Sequence, residues 1–205
     1  GTPPENYWKP EYFVWKPTYF STEIKEAITL IGSHEGMKAL DIGAGLGKAM
    51  LSLQHHGFDA YGLEPSIPFY ERAISQMGIS SEKLKLGALE ELEFADDSFD
   101  FITFGAVFEH LYNPKQCLEK ALRWLKPGGV IDVFRSENLI KWKKQQGVIE
   151  QTQFGLLVRH PTRIERTHPR FGIQSTLELW HQLFRPRFQI FGEIQACGSC
   201  IFHQI

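Results

Sequence analysis

Three observations predict an α/β fold with helices on both faces of a mostly parallel sheet. Short apolar runs alternate with segments of helical periodicity from Lys38 to Phe134, and glycine or proline punctuates most of the junctions between them. The third observation is composition: 205 residues, 42% of them hydrophobic, suffice for one domain with a substantial core and exclude disordered and collagen-like chains. No apolar stretch approaches the roughly 20 residues that span a bilayer, so no membrane partner is expected. Three cysteines make no disulfide framework, and the N-terminus shows no basic-then-apolar leader, so the expected location is cytoplasmic.

Residues 1–17 hold four prolines among Tyr7, Trp8, Tyr12, Phe13 and Trp15 and read as an irregular aromatic arm. A helix follows with Ser21 or Thr22 as its N-cap, its apolar face formed by Ile24, Ala27, Ile28 and Ile31, and Gly32 as its stop. Lys38–Ile42 is the first strand and residues 48–56 a helix ended by Gly57. Asp59–Glu64 is the second strand, followed by a helix from Ser66 through Met77. Residues 83–87 and 100–104 are the third and fourth strands. Asn113 and Pro114 open a helix to about Leu125, Lys126-Pro127-Gly128-Gly129 turns the chain, and residues 130–134 form the fifth strand. Residues 136–172 are polar and basic with no assigned element. A helix at 176–184 and strands at 187–194 and 200–204 close the chain.

The first strand ends in Asp41 and Ile42 and runs into Gly43-Ala44-Gly45-Leu46-Gly47, a loop that lets backbone approach a ligand closely. The dinucleotide fingerprint G-x-G-x-x-G would need a third glycine where Lys48 stands, which weakens a nicotinamide reading. Asp41, two residues before the first glycine, is a poor neighbour for a pyrophosphate and a good one for an ammonium group.

This loop and four further blocks resemble the class I S-adenosylmethionine-dependent methyltransferases, in particular those with small-molecule acceptors. The other blocks are residues 61–66 (YGLEPS), 94–100 (FADDSFD), 108–114 (FEHLYNP) and 125–129 (LKPGG), all in the family's order. The resemblance implies a Rossmann-like three-layer sandwich, with a seven-stranded, mostly parallel sheet ending in a C-terminal antiparallel hairpin. It also implies S-adenosyl-L-methionine as cofactor, S-adenosyl-L-homocysteine as product, and methyl transfer to an O, N or C nucleophile of a small molecule.

On this resemblance Gly43, Ala44, Gly45 and Gly47 line the methionine part of the cofactor, Asp41 orients its amino group, and Glu64 followed by Pro65 meets the ribose hydroxyls. The family's acidic adenine contact aligns with Ala88, where Glu90 or the backbone of Leu89 could substitute. Gly105 and Ala106 lie beneath the transferable methyl. His110 is the candidate general base, with a structural role equally open. Related quinone-pathway enzymes add a metal-binding Glu three residues before the Glu-His pair; that position is Ala106 here, so no catalytic metal is predicted.

Charge is uneven along the chain. Residues 1–134 hold 12 Lys and Arg against 19 Asp and Glu, while residues 135–205 hold 10 against 5. The basic part either attracts an anionic acceptor or is a solvated face. A nucleic-acid acceptor is the alternative, disfavoured because Asn113-Pro114 is followed by Lys115 rather than a second proline. A cofactor-binding module without turnover is the other. Cys197-Gly198-Ser199-Cys200 lacks a second pair to complete a zinc site and is read as a turn. The expected organisation is one domain over 1–205: aromatic arm and helix (1–37), cofactor core (38–134), substrate-lid segment (135–186) and hairpin (187–205).

Overall fold

A computed structural model describes residues 8–32, 35–134, 156–159 and 201–203. The elements are α1 (Ser21–Ile31), β1 (Lys38–Ile42), α2 (Lys48–His55), β2 (Asp59–Glu64), α3 (Ile67–Ser75), β3 (Leu84–Leu86), β4 (Phe99–Gly105), α4 (Pro114–Trp124), β5 (Leu125–Phe134), β6 (Leu156–Arg159) and β7 (Ile201–His203). The strands lie in the order β3-β2-β1-β4-β5-β6-β7. β1 to β5 are mutually parallel, β6 runs antiparallel to β5, and β7 antiparallel to β6. β1 pairs with β2 on one side and β4 on the other. Chain order therefore reverses between β1 and β4, and in open α/β sheets ligands bind at the carboxyl ends of the strands beside that reversal.

Alternation along each central strand divides the core between two faces. Ala39, Ala60, Phe101 and Val130 pack with Phe20, Ile24 and Ala27 around α1, Met50 and Leu53 on α2, and Ala73 on α3. Leu40, Ile42, Leu63, Ile102, Phe104, Ile131 and Val133 point the other way, onto Cys117, Leu118, Ala121 and Trp124 around α4. The sheet is thus covered on both faces, and its strands read as near-continuous apolar runs. Each fully buried aliphatic or aromatic side chain contributes about 1.5–3 kcal/mol.

Several boundaries depart from the sequence expectation. The residue before α1 is Phe20, in the left-handed region (φ 57°), with no side-chain cap. Ser21 turns its hydroxyl toward His56 Nε2 (3.2 Å) instead, because burial of the Phe20 ring sets the entry to the helix. Lys126–Gly129 do not make a free turn. Leu125 already pairs with Phe99 and Val130 with Phe101, so the four residues between them are an irregularity within β5. A β-carbon on Gly129 would meet the Asp100 carbonyl at 2.8 Å, so the sheet closes there only around a glycine. Asn113 caps α4 as expected, accepting from the Gln116 N–H at 3.2 Å.

At the antiparallel edge, β7 pairs with Leu156–Arg159, from the segment to which the sequence assigned nothing. The strand expected at 187–194, the helix at 176–184 and the Cys197–Cys200 motif lie outside the described residues. The aromatic arm is described from Trp8 and packs on α2 and α3. Trp15 Nε1 donates to Ser52 Oγ (2.8 Å), which donates to the Tyr19 carbonyl (2.6 Å), and the Arg72 guanidinium lies 3.9 Å from the Trp8 ring centre.

Candidate functional site

The carboxyl ends of β1, β2 and β4 converge on the glycine loop. Gly43 and Ala44 both donate to the Leu63 carbonyl (2.9 and 2.8 Å), and Gly47 donates to the Ala44 carbonyl (2.8 Å). The Gly45 N–H donates to Glu64 Oε2 at 2.6 Å, and the Ser66 N–H to Glu64 Oε1 at 2.8 Å. Four loop N–H groups are therefore spent inside the protein. That is the opposite of a phosphate cradle, which presents free N–H groups to an anion.

Glu64 is held from behind by two backbone donors, and each of its oxygens retains a lone pair for a ligand hydroxyl. Burial pushes its carboxyl above the ordinary value, while the Ser66 and Gly45 hydrogen bonds pull it back down. Asp41, only 2% exposed, is pushed up to about 8 by burial and by the neighbouring Glu64 charge. Two buried carboxyls on one sheet face make a site that favours a cation or hydrogen-bond donors.

Space for a ligand is visible at two glycines. A β-carbon on Gly45 or Gly105 would meet nothing within 4 Å, and Gly45 is in the left-handed region at φ +55°. At Gly43 a β-carbon would collide with the Val107 side chain, so Val107 closes the loop from the β4 side. It follows Ala106, whose positive φ (55°) is uncommon for a residue with a side chain. Residue type alone gave no sign of Val107; its position two residues past β4 was the only available signal.

The remaining predicted residues fall around this centre. Pro65 follows Glu64 at the end of β2 and is exposed. Gly87 donates to the Glu64 carbonyl (3.0 Å), which brings Ala88 alongside. The Leu89 side chain is buried in the core on the α4 face. Glu90 turns to α4, where its carboxylate accepts from Cys117 Sγ (3.4 Å) and its carbonyl from Lys120 Nζ (3.0 Å). His110 ends a 3-10 turn, Phe108–His110, and is exposed. Among the described residues no group of three or more His, Cys, Asp or Glu could hold a metal ion, and no helix is long and apolar enough to cross a membrane.

A doubly wound sheet with an acidic, glycine-lined cleft at its switch point is the architecture of a Rossmann-like cofactor-binding domain. Comparison with known proteins makes it more specific. Residues 40–133 match the family model described as a methyltransferase domain. An uncharacterised Bacillus subtilis methyltransferase, YcgJ, is 26% identical over 165 residues, covering 77% of this chain and 59% of its own. A sarcosine/dimethylglycine N-methyltransferase of Aphanothece halophytica is 36% identical over 99 residues, covering 46% of this chain and 36% of its own. A demethylmenaquinone methyltransferase of Staphylococcus aureus is 32% identical over 112 residues, covering 52% and 46% respectively. The chain thus spans 36–59% of the length of these three relatives. In fold, a Methanococcus maripaludis protein described as an S-adenosyl-L-methionine-dependent methyltransferase aligns over 80% of this chain and 74% of its own, with a TM-score of 0.50 and 15% identity. Residues 40–133 are thus similar in sequence to methyltransferase domains, on a Rossmann-like fold shared with S-adenosyl-L-methionine-dependent methyltransferase structures.

Proposed function

We propose that the protein binds S-adenosyl-L-methionine at the β1–β2–β4 edge and transfers its methyl group to a nucleophilic O, N or C atom of a small molecule, leaving S-adenosyl-L-homocysteine. The observation that carries this reading is the direction of the loop's hydrogen bonds. With the N–H groups of Gly43, Ala44, Gly45 and Gly47 donated internally, the cleft offers carboxyl oxygens from Asp41 and Glu64. That set suits an ammonium group and a ribose diol and repels a pyrophosphate.

In this reading Glu64 accepts from the two ribose hydroxyls, Asp41 faces the amino group, and the open volumes at Gly45 and Gly105 admit the ligand. Val107 shapes the wall between β1 and β4. The chemistry a bound S-adenosylmethionine supplies is an electrophilic methyl group on a positively charged sulfur. The protein's own contribution is to fix the acceptor in line with that methyl and keep the cleft dry, a matter of positioning that needs no covalent enzyme intermediate. His110 can take a proton from an acceptor that must lose one.

Two of the relatives, the sarcosine/dimethylglycine N-methyltransferase and the demethylmenaquinone methyltransferase, are named for small molecules, which supports a small-molecule acceptor. We assign residues 38–134 to the cofactor, 135–186 to the acceptor side and 187–205 to the closing edge, with all of 1–205 as one domain. Incubation with methyl-labelled S-adenosylmethionine and panels of small acceptors or RNA tests the reading. Labelled small molecules support it; label in RNA alone assigns a nucleic-acid acceptor. Tight cofactor binding with no transfer to any acceptor would make this a binding module.

A further inference from the structure

Side chains at equivalent register on adjacent strands project from the same face. Asp41 on β1 is in register with Thr103 on β4, and Thr103 with Asp132 on β5. With strands about 4.8 Å apart, the three form a polar row roughly 10 Å long across the α1 face of the sheet. All three are buried, at 2%, 0% and 2% exposure. Thr103 Oγ1 and Asp132 Oδ2 have no hydrogen-bond partner in the structure. Buried polar atoms are nearly always paired, so two unpaired ones side by side are able to take up a further polar group.

The surroundings define that group's charge. α1 packs against β5, and its carboxylates Glu23 and Glu26 act on Asp132. α1 ends at Ile31, shortly before β1 starts at Lys38, so its first turns lie toward the carboxyl edge of the sheet. Two residues along β4 from Thr103, on the same face, is Gly105 with open space beside it. The row therefore runs beneath α1, from the cofactor edge at β1 to β5.

We propose that Asp132 and Thr103, with Glu23 and Glu26, form a subsite for a positively charged ammonium group of the methyl acceptor. The proposal rests on the methyltransferase reading and names its acceptor class: an amine. Buried carboxyls favour a cation that also donates hydrogen bonds, and an ammonium group does both. Burial, then Glu23 and Glu26, push the Asp132 carboxyl up to about 8, the behaviour of an acid without a counter-cation. A seated ammonium would reverse that shift and release a proton. The Thr103 hydroxyl accepts a second N–H.

The test is calorimetric binding of benzylamine, benzyl alcohol and benzoate to the full chain saturated with S-adenosylhomocysteine, so that the cofactor's own amino site is filled. The proposal expects benzylamine to bind at least about tenfold more tightly than benzyl alcohol, with proton release at pH 7, and benzoate to bind weakest. Asp132→Asn should abolish the preference and the proton release while leaving S-adenosylhomocysteine affinity within about twofold. Should that core variant fail to fold, Glu23→Gln with Glu26→Gln, on the partly exposed side of α1, should still reduce the preference. Equal affinity for the amine and the alcohol overturns the proposal, as does a preference that survives both variants. Failure of S-adenosylhomocysteine itself to bind would instead remove the methyltransferase reading, and the subsite with it.

Discussion

Replacing Asp132 with asparagine should stabilise the fold by an amount that grows with pH. The carboxyl is raised from 3.8 to about 8 by burial, with Glu23 and Glu26 adding to it. The folded protein therefore holds this proton more tightly than the unfolded chain. The stability that the proton contributes is complete below about pH 4 and is lost as pH rises through about 8. At about 1.4 kcal/mol per pKa unit, the wild type loses up to about 4 kcal/mol between pH 5 and pH 9 from this residue alone. That is a large part of the roughly 5–15 kcal/mol available to a domain. Asparagine keeps the volume and does not titrate. Urea unfolding of both proteins at pH 5, 7 and 9 measures the difference. Asp41 also titrates near 8, but it does so in both proteins and cancels. The gap should widen by at least about 2 kcal/mol from pH 5 to pH 9. A constant gap, or a variant less stable than the wild type at pH 9, would refute the claim that this carboxyl is buried without a partner.

Three further substitutions probe the site. Glu64→Ala should weaken S-adenosylhomocysteine binding by about 10- to 100-fold in calorimetry, because it removes the hydroxyl acceptor and frees the Gly45 N–H that it anchors. Gly45→Val should abolish binding in a folded protein, checked by circular dichroism, because it fills open space and places a β-branched residue at φ +55°. Thr103→Val should raise the melting temperature, since it deletes an unpaired buried hydroxyl at a gain of about 1–3 kcal/mol. A lower melting temperature would show that the hydroxyl has a partner.

What could be read in advance depended on the range of the interaction. β1, β2 and β4 were legible because each is a mostly apolar run closed by a local signal, such as the loop after Ile42 or Gly57 before Asp59. The position of Asp41 and Glu64 at the carboxyl edge of the sheet was legible because a strand's last residues lie there whatever the rest of the sheet does. The Phe20 entry to α1 was not, since burial of a ring from the preceding arm outweighed the capping preference of Ser21. Neither was the irregularity at residues 126–129, where proline and two glycines suggest a turn but β4 supplies a pairing partner. Leu156–Arg159 is a four-residue run that becomes a strand only through its pairing with β5 and β7. The Asp41–Thr103–Asp132 row depends entirely on register between strands far apart in sequence, which no local pattern encodes.

The central claim is that the acidic, glycine-lined edge of this sheet is a site for S-adenosylmethionine. Calorimetric titration of the purified protein with S-adenosylmethionine, S-adenosylhomocysteine and NADH tests it most directly. The account predicts micromolar binding of the first two and none of NADH, whose pyrophosphate would face Asp41, Glu64 and a loop with its N–H groups already spent. Binding of NADH alone, or of none of the three to a folded sample, would contradict it.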